Sequence, residues 1–97
     1  MRAVSRWAAA ALHRVPQPAR YAAHKLIIAQ KRRTDTAKRQ KDLVQAKALI
    51  EALQASDSWA LADAVSDARS RGRDGWQRPL DRSLKELGIE GRTLQPE

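Results

Sequence analysis

Residues 18–33 read PARYAAHKLIIAQKRR and residues 34–55 read TDTAKRQKDLVQAKALIEALQA. In both stretches apolar side chains recur at spacings of three and four, the period of a helix that buries one face. Pro18 suits a first helical position, where its missing N–H costs nothing. Thr34 or Asp35 can cap the second helix by accepting a hydrogen bond from its first turn. Only a short basic loop separates the two, so they are expected to pack antiparallel.

Downstream, a third helix is expected after Ser56 or Asp57, with Leu61, Ala62, Val65 and Ala68 on one stripe and an end at Gly72, behind Arg69 and Arg71. A last helix carries Trp76, Leu80, Leu84 and Leu87 at i, i+4, i+8 and i+11 and stops at Gly88; Pro79 either kinks it or marks its true start. Upstream, the Ala-rich run from Ser5 to Arg14 gives a weaker helical signal, broken by Pro16-Gln17-Pro18. No stretch alternates apolar and polar residues as a strand would, and no repeat of solenoid length appears. The expected fold is all-α, a small antiparallel bundle of three to four helices. Residues 16–88 would form that helical unit, residues 1–15 a poorly defined basic segment, and residues 89–97 a tail.

Composition narrows what such a bundle can do. Of 97 residues 42% are hydrophobic, but 18 of these are Ala and none is Phe, so the core is thin. The absence of cysteine excludes disulfides, thiolate metal sites and a thiol nucleophile, and suits a reducing, cytoplasmic setting. Two histidines, His13 and His24, are too few for a metal site of their own, and no apolar run approaches the roughly 20 residues of a membrane span. The net charge of +8 is unevenly spread: residues 1–41 hold 11 Lys or Arg against one acid, whereas residues 42–97 hold 8 bases against 10 acids. A basic first half is expected to meet an anionic partner, nucleic acid among the possibilities. Residues 1–20 share an Arg-rich, acid-free composition with mitochondrial transit peptides, but the Arg–Ala bias runs through the whole chain, as in a protein from a GC-rich bacterial genome.

Two charged residues break the helical pattern. With about 100° per residue and Tyr21 set at 0°, Ile28, Ala29, Ala22 and Leu26 span about −20° to 140°, Lys25 falls at about 40°, and Arg32 lies near it at about 20°. On the next helix Leu43, Ala46, Leu49, Ile50 and Leu53 define an apolar face that contains Asp42. A lone buried charge is unfavourable, so Lys25 and Asp42 are expected to meet at the interface. Asp63 and Asp67, four residues apart, fall opposite the apolar stripe and read as a solvated face. His24 sits at the edge of an apolar arc, where partial burial or a hydrogen bond outweighs acid–base work. Trp59 and Trp76 head their helices and read as anchors between helices rather than as base-stacking platforms.

No Gly-rich phosphate loop, Ser/His/Asp or Cys/His set, Asp-x-Asp pair or metal-ligand cluster is present. The phrases PARYAAHKLIIAQKR and, some ten residues on, KDLVQAKALIEAL, with a compatible later GWQRPLDRSL, resemble the helical C-terminal part of a bacterial nucleotidyltransferase-fold family related to minimal and abortive-infection toxin nucleotidyltransferases. The resemblance covers roughly residues 13–87. It implies a protein that transfers a nucleotidyl group from an NTP, with a glycine segment and paired carboxylates holding Mg²⁺ on an N-terminal sheet. By it, Lys25 corresponds to a helix lysine that meets the nucleotide's phosphates, with Arg32 and Arg33 as further phosphate-binding candidates, and Lys41-Asp42 to a second motif that orders the site. Two features depart from the pattern: Gln45 stands where a further Asp is common, and the sheet with its metal carboxylates has no counterpart.

The resemblance therefore implies that residues 16–88 are a helical fragment or C-terminal subdomain of a larger α/β nucleotidyltransferase, inactive alone, whose partner is an N-terminal nucleotidyltransferase domain. Mg²⁺ and NTP would act only with that half, and the chain itself would hold no metal and no complete set of catalytic residues. The rival expectation is a free-standing basic module that binds nucleic acid through Arg20, Lys31, Arg32, Arg33, Lys38 and Arg39, since phosphate attraction requires only charge.

Overall fold

A computed structural model describes residues 6–32, 34–90 and 94. These residues form five α-helices and one π-helical turn: α1 Arg6–Arg14, α2 Pro18–Lys31, α3 Thr36–Ser56, α4 Ser58–Ser70, the π turn Arg73–Gln77, and α5 Arg78–Glu86. No strand occurs among them. Local chemistry sets the helix starts. Asp35 accepts from the backbone N–H of Lys38 at 3.0 Å, and Asp57 accepts from that of Ala60 at 3.1 Å. Pro18 opens α2 as expected, and Gly88, at φ 73°, closes α5 in a conformation that only a residue without Cβ adopts freely.

The α2 helix is central: it packs on α3, α4 and α5, while α1 lies on α3. Leu26, Leu49, Ile50, Leu61, Leu80 and Leu84 are almost wholly removed from water, each side chain contributing about 1.5–3 kcal/mol by its transfer. Alanines at 22, 23, 46, 52, 64 and 68 fill the remaining contacts and let the helix backbones approach closely. The Cα radius of gyration, 12.5 Å, is that of one globular unit of this length, about 13 Å for 100 residues.

The structure differs from the sequence expectation at several points. There are five α-helices rather than three or four, because the Ala-rich run forms α1 and buries Ala8 and Ala11. Methyl groups give a weak periodic signal, yet they suffice to seat a short helix on a neighbour. Of the stretch expected to be a tail, Ile89 packs against the core and Leu94 is buried. The buried arc of α2 is rotated from the predicted one: Ala19, Ala23 and Ile27 are buried, while Tyr21 and Ile28 are only half-buried. Three neighbouring helices, not one, decide that arc.

Trp59 is 68% exposed and stands outside the core, whereas Trp76 is half-buried against the core and lies under the Arg71 guanidinium, 5.2 Å from its ring centroid. A Cβ at Gly72 would stand 3.3 Å from the Trp76 ring, so glycine there permits the close approach. The turn before α5 is widened, with Gln77 N–H donating to Gly72 O at 2.9 Å. In a regular α-helix the Pro79 ring would crowd the carbonyl four residues back; the wider turn relieves this and makes Pro79 part of the first turn of α5.

Candidate functional site

Lys25 and Asp42, the two charges that broke the helical pattern, meet. Lys25 Nζ donates to Asp42 Oδ1 at 3.0 Å, and Arg32 Nε donates to Asp42 Oδ2 at 2.6 Å. The short loop between α2 and α3 is what brings them together: α3 runs back along α2, so a residue in the second turn of α3 faces the C-terminal half of α2. The Asp42 side chain is 5% exposed, that of Lys25 17% and that of Arg32 34%. Lys25 also lies over the Tyr21 ring, 5.2 Å from its centroid. One oxygen of the carboxylate is thus committed to an ammonium and the other to a guanidinium, with an aromatic face supporting the ammonium from within α2.

Burial pushes the Asp42 carboxyl up, but the hydrogen bonds from Arg32 and Lys25, with their charges, outweigh it and hold the group below the ordinary aspartate value. Asp42 is therefore ionised at neutral pH, one carboxylate held between two basic side chains. Lys25 keeps further N–H donors, and the Arg32 Nη groups have no partner among the described residues. Such an arrangement can present fixed donors to a phosphate or another anion at the edge of the bundle.

The other site residues expected from the sequence fall elsewhere. Lys41 is exposed, one residue and about 100° away from the buried Asp42, and Arg33 lies outside the described residues. Gln45, where the resemblance leads to the expectation of a further Asp, has its Oε1 buried without a hydrogen-bond partner among the described residues. His24 is exposed. Asp63 is solvated as expected, but Asp67 is not merely so: Arg20 donates to it at 2.7 Å and Arg71 at 3.0 Å. These hydrogen bonds, Arg20's foremost, hold its carboxyl below the ordinary value.

Sequence reasoning also missed a network that joins α2, α3 and α5. The Ser83 hydroxyl, fully buried, donates to Leu26 O at 2.5 Å, and Gln30 Nε2 donates to Ser83 Oγ at 2.9 Å and to Glu86 Oε1 at 3.2 Å. Arg39 closes the network by donating to both Glu86 oxygens at 2.5 Å; its hydrogen bond is the main reason that the Glu86 carboxyl lies below its ordinary value. The only sequence signal for this was a Ser and a Gln at core-facing positions. Of the six cations named for nucleic-acid binding, Arg20, Arg32, Lys38 and Arg39 are ion-paired, and Lys31 is exposed.

Among the described residues no group of three or more His, Cys, Asp or Glu could hold a metal ion, and no helix is long and apolar enough to cross a membrane. Both oxygens of Asp42 are already engaged, so it is not a free metal ligand.

No curated protein and no solved structure matches the chain. The sequence pattern described as nucleotidyltransferase, however, matches residues 1–70. It takes in α1, which lay outside the recognised phrases, and stops at the end of α4, leaving the GWQRPLDRSL stretch beyond it. With the match extending over most of its length, the chain belongs to the nucleotidyltransferase family.

Proposed function

We propose that this bundle is the helical part of a bacterial, cytoplasmic nucleotidyltransferase related to the minimal and abortive-infection toxin enzymes, and that its α2–α3 edge flanks the NTP. Lys25 and Arg32 contact the phosphates there, with Arg33 beside them, and Lys41-Asp42 orders the site. The observation that carries this reading is the clamp on Asp42: a largely buried carboxylate fixes an ammonium and a guanidinium side by side at the edge of the bundle. Two cations held at 3.0 and 2.6 Å from one anion have lost much of their rotamer freedom, so an incoming phosphate need not order them.

The described residues offer no set that would hold Mg²⁺. In this proposal the metal carboxylates belong to a separate catalytic half, an N-terminal domain against which the bundle completes the site, and the bundle alone is inactive. Lys25 binds and orients phosphate; Asp42 holds Lys25 in place; Tyr21 covers one side of the ammonium.

The direct test is incubation of the purified chain with Mg²⁺ and each labelled NTP. No incorporation is expected, and measurable incorporation would overturn the division of labour. Reading the genome upstream of the Met1 codon is expected to reveal an in-frame segment with a Gly-Ser element and an Asp-x-Asp pair. RNA or DNA binding by the chain with a steep salt dependence, unaffected by Lys25→Met, would instead support the free-standing basic module.

A further inference from the structure

Nearly every arginine on the inner edges of the bundle is matched with a carboxylate. Arg20, Arg32, Arg39, Arg69 and Arg71 each have a partner at 2.5–3.0 Å. One place departs from this rule. A cleft of about 410 Å³ between the last turn of α2 and the π turn with α5 is lined by Gln30, Lys31, Asp74, Arg78, Pro79 and Arg82. It gathers three cations against one acid. That acid, Asp74, reaches Arg78 only at 3.5 Å, with side chains 82% and 66% exposed, which is a weak, readily displaced pair. Lys31 and Arg82 have no ion-pair partner among the described residues. Glu86, four residues after Arg82 on α5, hydrogen-bonds to Arg39 and Gln30 and acts on Arg82 only through its charge, without an ion-pair contact.

From this imbalance the geometry points to a polyphosphate-binding cleft at the α2–α5 junction, separate from the Lys25–Asp42–Arg32 cluster, in which Arg78, Arg82 and Lys31 grip adjacent phosphate groups. Arg78 and Arg82 stand one turn apart on α5, so their side chains share a face; like charges at that spacing disfavour a helix unless an anion lies between them. Guanidinium forks match phosphate oxygens two at a time, and Lys31 supplies a point charge from the facing helix. The volume sits at the small end of ligand sites, which suits a di- or triphosphate chain rather than a whole dinucleotide. Pro79 in the first turn and the π turn before it fix where α5 begins, so Arg78 and Arg82 extend from backbone positions one helical turn apart. The cleft joins a helix inside the family match to a segment outside it, and neither the match nor the resemblance assigns a role to Arg78 or Arg82.

The test is calorimetric titration of the full chain with inorganic tripolyphosphate at low salt, and in a second arm with ATP. Saturable binding of tripolyphosphate is expected, weakened at least tenfold in Arg78→Ala/Arg82→Ala. The charge-matched control Lys47→Ala/Lys85→Ala should change it less than threefold. Equal losses in both double variants, or no saturable binding by the wild type, would overturn the cleft. Binding that survives Arg78→Ala/Arg82→Ala but falls with Lys25→Met would also overturn it, while supporting the phosphate role proposed for Lys25. Tighter binding of ATP than of tripolyphosphate, with the same dependence on Arg78 and Arg82, would mark the source as a nucleotide; equal binding would mark a free polyphosphate.

Discussion

Asp42 and Asp67 are the same device in two settings. Each is an aspartate held between two cations, Lys25 and Arg32 in one case, Arg20 and Arg71 in the other, at 2.6–3.0 Å throughout. The Asp42 side chain is 5% exposed and that of Asp67 34%. In both, hydrogen bonds hold the carboxyl below its ordinary value. Geometry is therefore not what separates them. Burial is, because water and salt screen the outer cluster, while the inner one leaves charges stranded if a partner is lost.

The largest effect that should follow from this contrast is that of Asp42→Ala. It leaves Lys25, 17% exposed, without its carboxylate, and Arg32 without its anchor. Both stems can lean toward solvent, which reduces the penalty below that of a fully buried pair. A loss of about 2–4 kcal/mol is expected, read as a lowered urea midpoint at unchanged m-value. A change no greater than that of Asp67→Ala would break the comparison. Lys25→Met/Asp42→Leu should recover most of the loss, since apolar residues of similar volume often replace a buried pair without penalty. If that double variant folds as stably as the wild type yet has lost phosphate binding, the cluster exists for its ligand and not for the fold.

An intermediate effect is expected at Ser83, which with Asp42 makes up the buried polar residues among those described. Ser83→Ala removes the donor to Leu26 O and the acceptor for Gln30. A loss of about 1–2 kcal/mol should appear in the same urea assay. Gln30 retains Glu86, so the α2–α5 contact persists.

These two sites also mark what sequence can and cannot disclose. The helix starts at Asp35 and Asp57 were legible to within one residue, and the end at Gly88 directly, because capping is local chemistry. The Lys25–Asp42 contact was legible because both residues violated their own helix's pattern and a short loop fixed how the helices meet. By contrast, Arg20 and Asp67 are 47 residues apart and each looks ordinary on its own helix, so nothing local announces their contact. The rotation of the α2 arc was hidden for a related reason. Alanine is compatible with either face, and only the positions of α3, α4 and α5 together decide that Ala19 and Ala23 turn inward. Trp59 misled because size alone suggests burial, while its position at the start of α4 leaves it beyond the reach of any neighbour's apolar face.

The pH dependence sharpens the contrast further. The folded pKa of Asp42 lies below its unfolded value of about 3.9, so the stability it contributes is fully present above that pH and is lost as pH falls through the folded value. Stability should hold level from about pH 7 to 5 and fall below about pH 4. In Asp42→Asn the fall should be shallower, with the remainder belonging to Asp67 and Glu86, which are shifted in the same direction. An identical acid profile in wild type and Asp42→Asn would remove the inner cluster from the account.

The smallest effect should be that of Asp67→Asn. Its carboxylate makes two good hydrogen bonds, yet both arginine partners are about half-exposed and can return to water when released. At low salt their loss should lower Tm slightly, and at about 0.5 M salt, where screening acts within a few ångströms, wild type and variant should coincide. Asp42→Asn, measured beside it, should keep its deficit at both salt concentrations, because the ions cannot enter the α2–α3 interface. A deficit at Asp67 that survives high salt would mean that the α2–α4 edge is less open than its exposure indicates. Its aspartate would then count as part of the core, and the distinction drawn between the two clusters would fail.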